Sequence, residues 1–242
     1  MIRGIYEQLA GNLTHLGEKQ ILVLHVFGAD LRVDWQTIVM SWIVMAILVG
    51  LALWLRRGLR QPVEDKPNRA QASVDALIDL LRSQITSSFA SEQLAIKLFP
   101  FVSTLFLYVL ISNWLGMFPY LESPTQNLNV TLGLAFLVFF ISQYLAVRHR
   151  GVKKYLKGFL EPIPVLLPMN IIGEVARPLS HAFRLFGNTL AGTFLITVIM
   201  VKFVPLAVPS ILTMIFTLFF GAIQAFVFAI LAVAYINVAI EE

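Results

Sequence analysis

Along the 242 residues, charge-free apolar stretches alternate with short polar or basic connections. Thr37 to Leu55 contains no charged residue, and as a helix rising about 1.5 Å per residue it reaches about 28 Å, close to the ~30 Å of a bilayer's hydrocarbon core. This predicts a first membrane span. Leu98 to Pro119 predicts a second, polar only at Ser103, Thr104, Ser112 and Asn113, and Val130 to Val147 a third, interrupted by Thr131, Ser142 and Gln143. Tyr120–Asn129 is the short loop between them. Two longer stretches follow, Met169–Lys202 and Leu206–Ile240, separated by Phe203-Val204-Pro205. A single helix over either is about 50 Å long and must tilt, extend past the membrane or break. Pro178 is a candidate kink in the first, since it lacks an N–H and crowds the carbonyl of Glu174.

The intervening segments read differently. Residues 1–36 mix polar and apolar positions, the run Ile21-Leu22-Val23-Leu24 is too short to span, and Met1–Leu9 carries Glu7 and lacks the long apolar core and small-residue cleavage site expected of a signal peptide. Arg56, Arg57 and Arg60 open a polar linker containing Pro62 and Pro67. From Ser73 to Lys97, Val74, Leu77, Leu81 and Ile85 recur at helical steps with Asp75, Asp79 and Arg82 on other faces, the pattern of an amphipathic helix lying at the interface. The expected fold is therefore all-α: a polytopic membrane protein with five crossing helices, one amphipathic interfacial helix, and two long, tilted last helices. Its parts are an outside segment (1–36), the first membrane helix (37–55), the interfacial helix (73–97), a helical pair (98–147) and a long hairpin (169–240).

Composition agrees and excludes several functions. Apolar residues make up 58% and charged residues 13%, against roughly 45–50% and about 25% in soluble domains. A net charge of +4 on so apolar a chain leaves no surface for nucleic acid. The chain has no Cys, and His15, His25, His149 and His181 are scattered, so no metal centre is expected. No Gly-x-x-x-x-Gly-Lys-Ser/Thr run offers a nucleotide site. Placement makes the charge informative. Arg56 to Lys97 and Arg148 to Lys157 collect twelve of the eighteen basic residues on one side, against Arg3, Lys19, Arg32 and Lys202 on the other. The positive-inside rule then puts the N-terminus outside and Glu241-Glu242 inside.

The polar residues of the fourth long stretch are not random. At 100° per residue, Glu174, Arg177, His181, Arg184 and Asn188 fall within an arc of about 80°. Glu174 and Arg177 suit an ordinary i,i+3 pair near the inner end. Arg184 sits near mid-membrane, where an arginine costs roughly 2.5–3.5 kcal/mol, and no acidic residue lies within a helical turn to neutralise it. Its countercharge must come from another helix or chain. In the last stretch Thr217, Gly221, Gln224, Phe228 and Tyr235 share a face; Gly221 lets backbones approach, and Gln224 is placed to bond near Arg184. For Thr217 and Tyr235 ordinary helix packing is the plainer account. A cation among Gly187, Ala191 and Gly192 suits a surface that attracts a carboxylate on a moving partner, and arginine stays protonated even when desolvated. The residues alone indicate an ion pathway or a transporter.

The run Arg184-Leu-Phe-Gly-Asn188 with Ala191-Gly192 resembles the signature of subunit a of the F-type ATP synthase. Lys66-Pro-Asn, Phe99-Pro100-Phe101, Asn113-Trp-Leu-Gly116-Met-Phe-Pro119 and Ile223-Gln224-Ala225-Phe226-Val-Phe extend the resemblance over most of residues 37–238. It implies a non-catalytic stator subunit without cofactors, partnered by a ring of c subunits and b-type peripheral stalk subunits in a bilayer; the start of the chain favours a bacterial plasma membrane, with a thylakoid or organellar membrane as the alternative. In that family the arginine matching Arg184 separates two offset half-channels and displaces a proton, or a sodium ion, from the ring carboxylate. Asn188 and Gln224 match polar positions of this site, and Glu174 matches an acidic position assigned here to the inner half-channel. The chain departs from the pattern at Thr193, where the family often has Glu, Asp or His, and at Thr217, where some members have His. Ion entry from outside then falls to water, hydroxyls and Asn188. His181 is either a compensating relay or a packed imidazole. The alternatives are a self-contained secondary transporter using Arg184 as a carboxylate clamp, which predicts internal repeats that the chain lacks, and a membrane scaffold, which leaves Arg184 unexplained.

Overall fold

The computed structural model describes residues 21–26, 29–58, 92–117, 121–161, 163–203 and 208–241, together with positions 79 and 82–83. The description begins with strands β1 (Ile21–Val26) and β2 (Ala29–Asp34), paired antiparallel with Ile21 opposite Asp34 and Val26 opposite Ala29. The expectation of an all-α chain omitted this hairpin. The run too short to span a membrane, Ile-Leu-Val-Leu-His-Val, is rich in the branched residues that favour extended backbone.

Helix α1 (Trp35–Gly58) starts where the hairpin ends. Asp34 fixes that start: its Oδ1 accepts from the Thr37 amide at 3.3 Å and its Oδ2 from the Thr37 hydroxyl at 2.9 Å, which satisfies donors at the helix N-terminus that have no partner within the helix. Val44 is fully buried, while Trp35, Trp42 and Trp54 face outward. Exposed tryptophans near both ends of an apolar helix suit the two membrane interfaces.

Helix α2 (Glu92–Leu115) begins six residues before the start that charge patterning gave. Ala95 is already buried in the core, so this turn packs as part of the span. The last residues assigned to the interfacial helix, 92–97, therefore belong to α2; its remainder, apart from 79 and 82–83, lies outside the described residues. A short 3₁₀ turn (Pro124–Gln126) leads to α3 (Leu128–Arg150), capped by Asn127, whose side chain accepts from the Asn129 amide. Thr131, Ala135, Val138, Ser142 and Ala146 are its buried stripe, spaced at helical intervals. Gly151, at φ 80°, ends α3 in a backbone conformation that side chains disfavour and glycine adopts freely. The short helix α4 (Val152–Gly158) and a 3₁₀ turn (Pro164–Leu166) follow.

The last two helices are α5 (Leu167–Phe203, 37 residues) and α6 (Val208–Glu241, 34 residues). At the standard rise they measure about 55 and 51 Å, well beyond the hydrocarbon thickness. Helix α5 is continuous through Pro178. Helices α2, α3, α5 and α6 pack around one core of Val102, Leu105, Val109, Val138, Leu185 and the α6 face Ala225, Phe228, Ala232, Val233 and Ile236. Alanines on α6 let its neighbours come close, the usual way that helices associate within lipid. Among the described residues four helical segments are long and apolar enough to cross a membrane: 35–54, 93–115, 128–150 and 217–240. Helix α5 carries Glu174, Arg177 and Arg184.

Candidate ion-translocation site

Helix α5 has two unlike faces. Pro178, His181, Ala182 and Leu185 are buried, with His181 and Leu185 packed toward Phe228 and the alanines of α6. Gly173, Ala176, Ser180, Arg184 and Ala191 are exposed, at helical steps along one line, and Gly187 joins them with open space beyond its Cα. Arg184 is thus the one long side chain in an outward stripe of small residues. Among the described residues it makes no hydrogen bond and no ion pair.

The polar arc expected from the sequence lies between these faces and is divided by them. Arg184 occupies its exposed edge and His181 its buried edge. The His181 imidazole is 1% exposed. It stacks on Phe228 with ring centroids 3.8 Å apart, meets Tyr235 edge-on at 5.3 Å, and its Nε2 lies 3.2 Å from the Phe228 carbonyl. A ring nitrogen facing a carbonyl donates to it, so Nε2 carries the hydrogen in this arrangement. His181 therefore pins α5 to α6.

One turn beyond Arg184, the exposed Asn188 donates from Nδ2 to Gln224 Oε1 at 2.7 Å. Gln224 is 6% exposed, and its Nε2 is buried without a protein partner among the described residues. The glutamine thus bonds to Asn188 rather than to Arg184 itself. A buried amide donor of this kind is costly unless something polar visits it.

Toward the start of α5, Arg177 Nη1 pairs with Glu174 Oε1 at 2.7 Å, the expected i,i+3 pair. Glu174 is largely covered and has a second partner that the sequence reading missed: Gln143 Nε2 of α3 donates to its Oε2 at 2.8 Å. Gln143 in turn accepts at Oε1 from the Tyr155 hydroxyl of α4. Gln143 had stood out only as a polar interruption of an apolar span. These groups line a cavity of about 520 Å³ between α3, α4 and α5, which Arg150, Glu161 and Asn170 also border.

At the other end a second polar cluster joins α2 to α6. Asn113 Nδ2 donates to the Gly221 carbonyl at 3.0 Å and Trp114 Nε1 to the Leu218 carbonyl at 3.3 Å. Asn113 Oδ1 accepts from Thr125, whose hydroxyl also meets that of Ser123. A Cβ on Gly221 would stand 3.1 Å from that of Asn113, so a larger residue there would require Asn113 to give by a few tenths of an ångström. Asn127 donates to Asp34 and to Thr37, tying the loop to the start of α1; nothing in the sequence connected Asp34 with this region. Thr217 is half-buried on α6, and the side chain of Thr193 lies outside the described residues.

The family model described as ATP synthase A chain matches residues 38–237. The chain is 41% identical over 201 residues to "ATP synthase subunit a 1" of Crocosphaera subtropica, covering 83% of this chain and 84% of that protein. It is 40% identical over 202 residues to "ATP synthase subunit a 2" of Picosynechococcus sp., covering 83% of each. A helical membrane body, an outward arginine in a stripe of small residues and a match over most of the length converge: the chain belongs to the ATP synthase A chain family.

Proposed function

We propose that this chain is the stator subunit that carries protons, or sodium ions, to and from the carboxylates of a rotating c-ring, coupling ion flow to rotation and ATP synthesis. In this reading five helices cross the membrane, α5 in addition to α1, α2, α3 and α6, and the basic connections lie inside. Arg184 faces the ring and draws each passing carboxylate into its ionised form. Being permanently charged, it passes no proton itself and keeps the two half-channels apart. Asn188 and Gln224 provide polar lining beside it. Glu174 belongs to the inner half-channel, while Thr193, Thr217 and Asn188 serve the outer one without an acidic group. Each charge that crosses releases about 2.3 kcal/mol per 100 mV of membrane potential. His181, packed against Phe228, is a clamp between α5 and α6 rather than a relay.

The observation that carries the reading is the exposed Arg184, without an ion pair among the described residues, set among Gly173, Ala176, Ser180, Gly187 and Ala191. A stripe of small residues lets another helix approach, and a lone arginine there calls for an anionic group on that helix. Cysteine cross-linking tests it in the assembled complex. Ser180→Cys and Ala191→Cys are expected to form disulfides with a cysteine beside the ring carboxylate, and Ala182→Cys on the buried face is not. Failure of both exposed positions to cross-link would contradict the proposal.

A further inference from the structure

The inner end of α5 holds a chain of hydrogen bonds with one consistent direction. An ionised carboxylate only accepts, so the amide of Gln143 must present its NH₂ group to Glu174 Oε2, 2.8 Å away. Its Oε1 is then turned to the Tyr155 hydroxyl, which donates at 2.5 Å. Reversing the amide would set oxygen against carboxylate and an NH₂ group against a phenol, giving up the strongest bond of the set. Each member comes from a different element: Glu174 from α5, Gln143 from α3, Tyr155 from α4. Tyr155 keeps its proton, because burial raises the phenol above its ordinary value and the Glu174 carboxylate pushes the same way, with Arg150 opposing.

We propose that Gln143 and Tyr155 are positioning residues for Glu174: the Tyr155 hydroxyl locks the Gln143 amide, and the locked amide holds the Glu174 carboxylate in its proton-accepting form at the cavity between α3, α4 and α5. The proposal rests on the reading of Glu174 as an inner half-channel group. The charged and titratable groups around that carboxylate are Arg177 on its own helix, Arg150 at the end of α3, Tyr155 on α4, Glu161 in the following turn and Tyr235 on α6. Arg177 neutralises one oxygen, and the amide answers the other. Tyr155 thereby links the basic segment Lys153-Lys154-Tyr155-Leu156-Lys157, which meets water, to the carboxylate inside the helix bundle.

The test uses the intact ATP synthase in inverted membrane vesicles, whose inner face meets the bulk medium. Synthesis at fixed driving force is measured against medium pH and divided by the wild-type rate, with complex content measured alongside. Without the amide donor the carboxylate holds its proton more readily, so in Tyr155→Phe and Gln143→Leu the acid-side fall of synthesis should move to higher pH by about half a unit, roughly threefold in proton concentration. Gln143→Asn keeps an amide but is one methylene too short to bridge, and should shift the profile the same way. Adding Tyr155→Phe to Gln143→Leu should change nothing further. Glu174→Gln should lower synthesis and remove the sensitivity to both other substitutions. If Glu174→Gln impairs synthesis while the other variants leave the profile in place, or only scale it, the positioning role is overturned and the half-channel reading stands. If Glu174→Gln itself leaves rate and profile unchanged, the half-channel reading falls first.

Discussion

Asn188 and Gln224 are joined across the α5–α6 contact by one amide hydrogen bond of 2.7 Å, a single helical turn from Arg184. The bond places an exposed polar side chain of α5 over a buried one of α6 and leaves the Gln224 Nε2 without a protein partner among the described residues. If this pair acts as a unit, its substitutions will not add. Asn188→Leu and Gln224→Leu should each lower ATP synthesis, and the double variant should lose less than their product. A coupling of about 1 kcal/mol is expected for a hydrogen bond between membrane helices, close to a fivefold departure from additivity. Synthesis rates in membranes with equal complex content measure it, and strict additivity would show that the two amides act separately.

His181 is placed for holding helices together. His181→Phe keeps an aromatic ring on Phe228 and removes both the bond to the Phe228 carbonyl and any protonation at this position. The variant should assemble, lose roughly 0.6–2 kcal/mol of helix–helix stability, and retain ion-driven synthesis within about twofold, since a clamp takes no part in ion transfer. Thermal denaturation of the detergent-solubilised complex gives the first quantity, and ATP synthesis in membranes the second. A fully assembled His181→Phe complex without synthesis would instead put the imidazole in the pathway.

Gly221 is where α6 meets Asn113 and Trp114 of α2. A methyl group there would meet the Asn113 Cβ at 3.1 Å and Trp114 Cδ1 at 3.5 Å, whereas one on Gly133 of α3 would meet nothing within 4 Å. Gly221→Val should therefore cost on the order of 1–3 kcal/mol by overpacking, seen as less subunit in the membrane. Gly133→Ala should be neutral. Equal membrane levels of the two variants would show that the close approach is not needed.

The sequence made some of this legible and not the rest, for identifiable reasons. Long, mostly apolar runs located α1, α3, α5 and α6 to within a few residues, because hydrocarbon tolerates few charges in a helix whatever its neighbours are. They misplaced the start of α2 by six residues, since Glu92 and Lys97 belong to a helix that extends beyond its apolar stretch. Helical periodicity gathered Glu174, Arg177, His181, Arg184 and Asn188 on one arc. It held no information on which edge of that arc the neighbouring helices would cover, so it left open whether His181 is packed or a relay. Gln143 and Tyr155 had no local signature: their importance comes from a contact with Glu174 across 31 residues in one case and a shared bond in the other. The β-hairpin escaped notice because its strands are short and lie before the periodic helices.

The central claim is that Arg184 acts on an anionic group outside this chain, and the most direct measurement is ion-driven ATP synthesis by Arg184→Ala in membranes where the subunit inserts and the complex assembles in wild-type amount. The account predicts that synthesis is abolished, with Arg184→Lys severely impaired as well, because an ammonium sheds its proton more readily than a guanidinium when desolvated. Coupled synthesis at the normal rate in an assembled Arg184→Ala complex would contradict it.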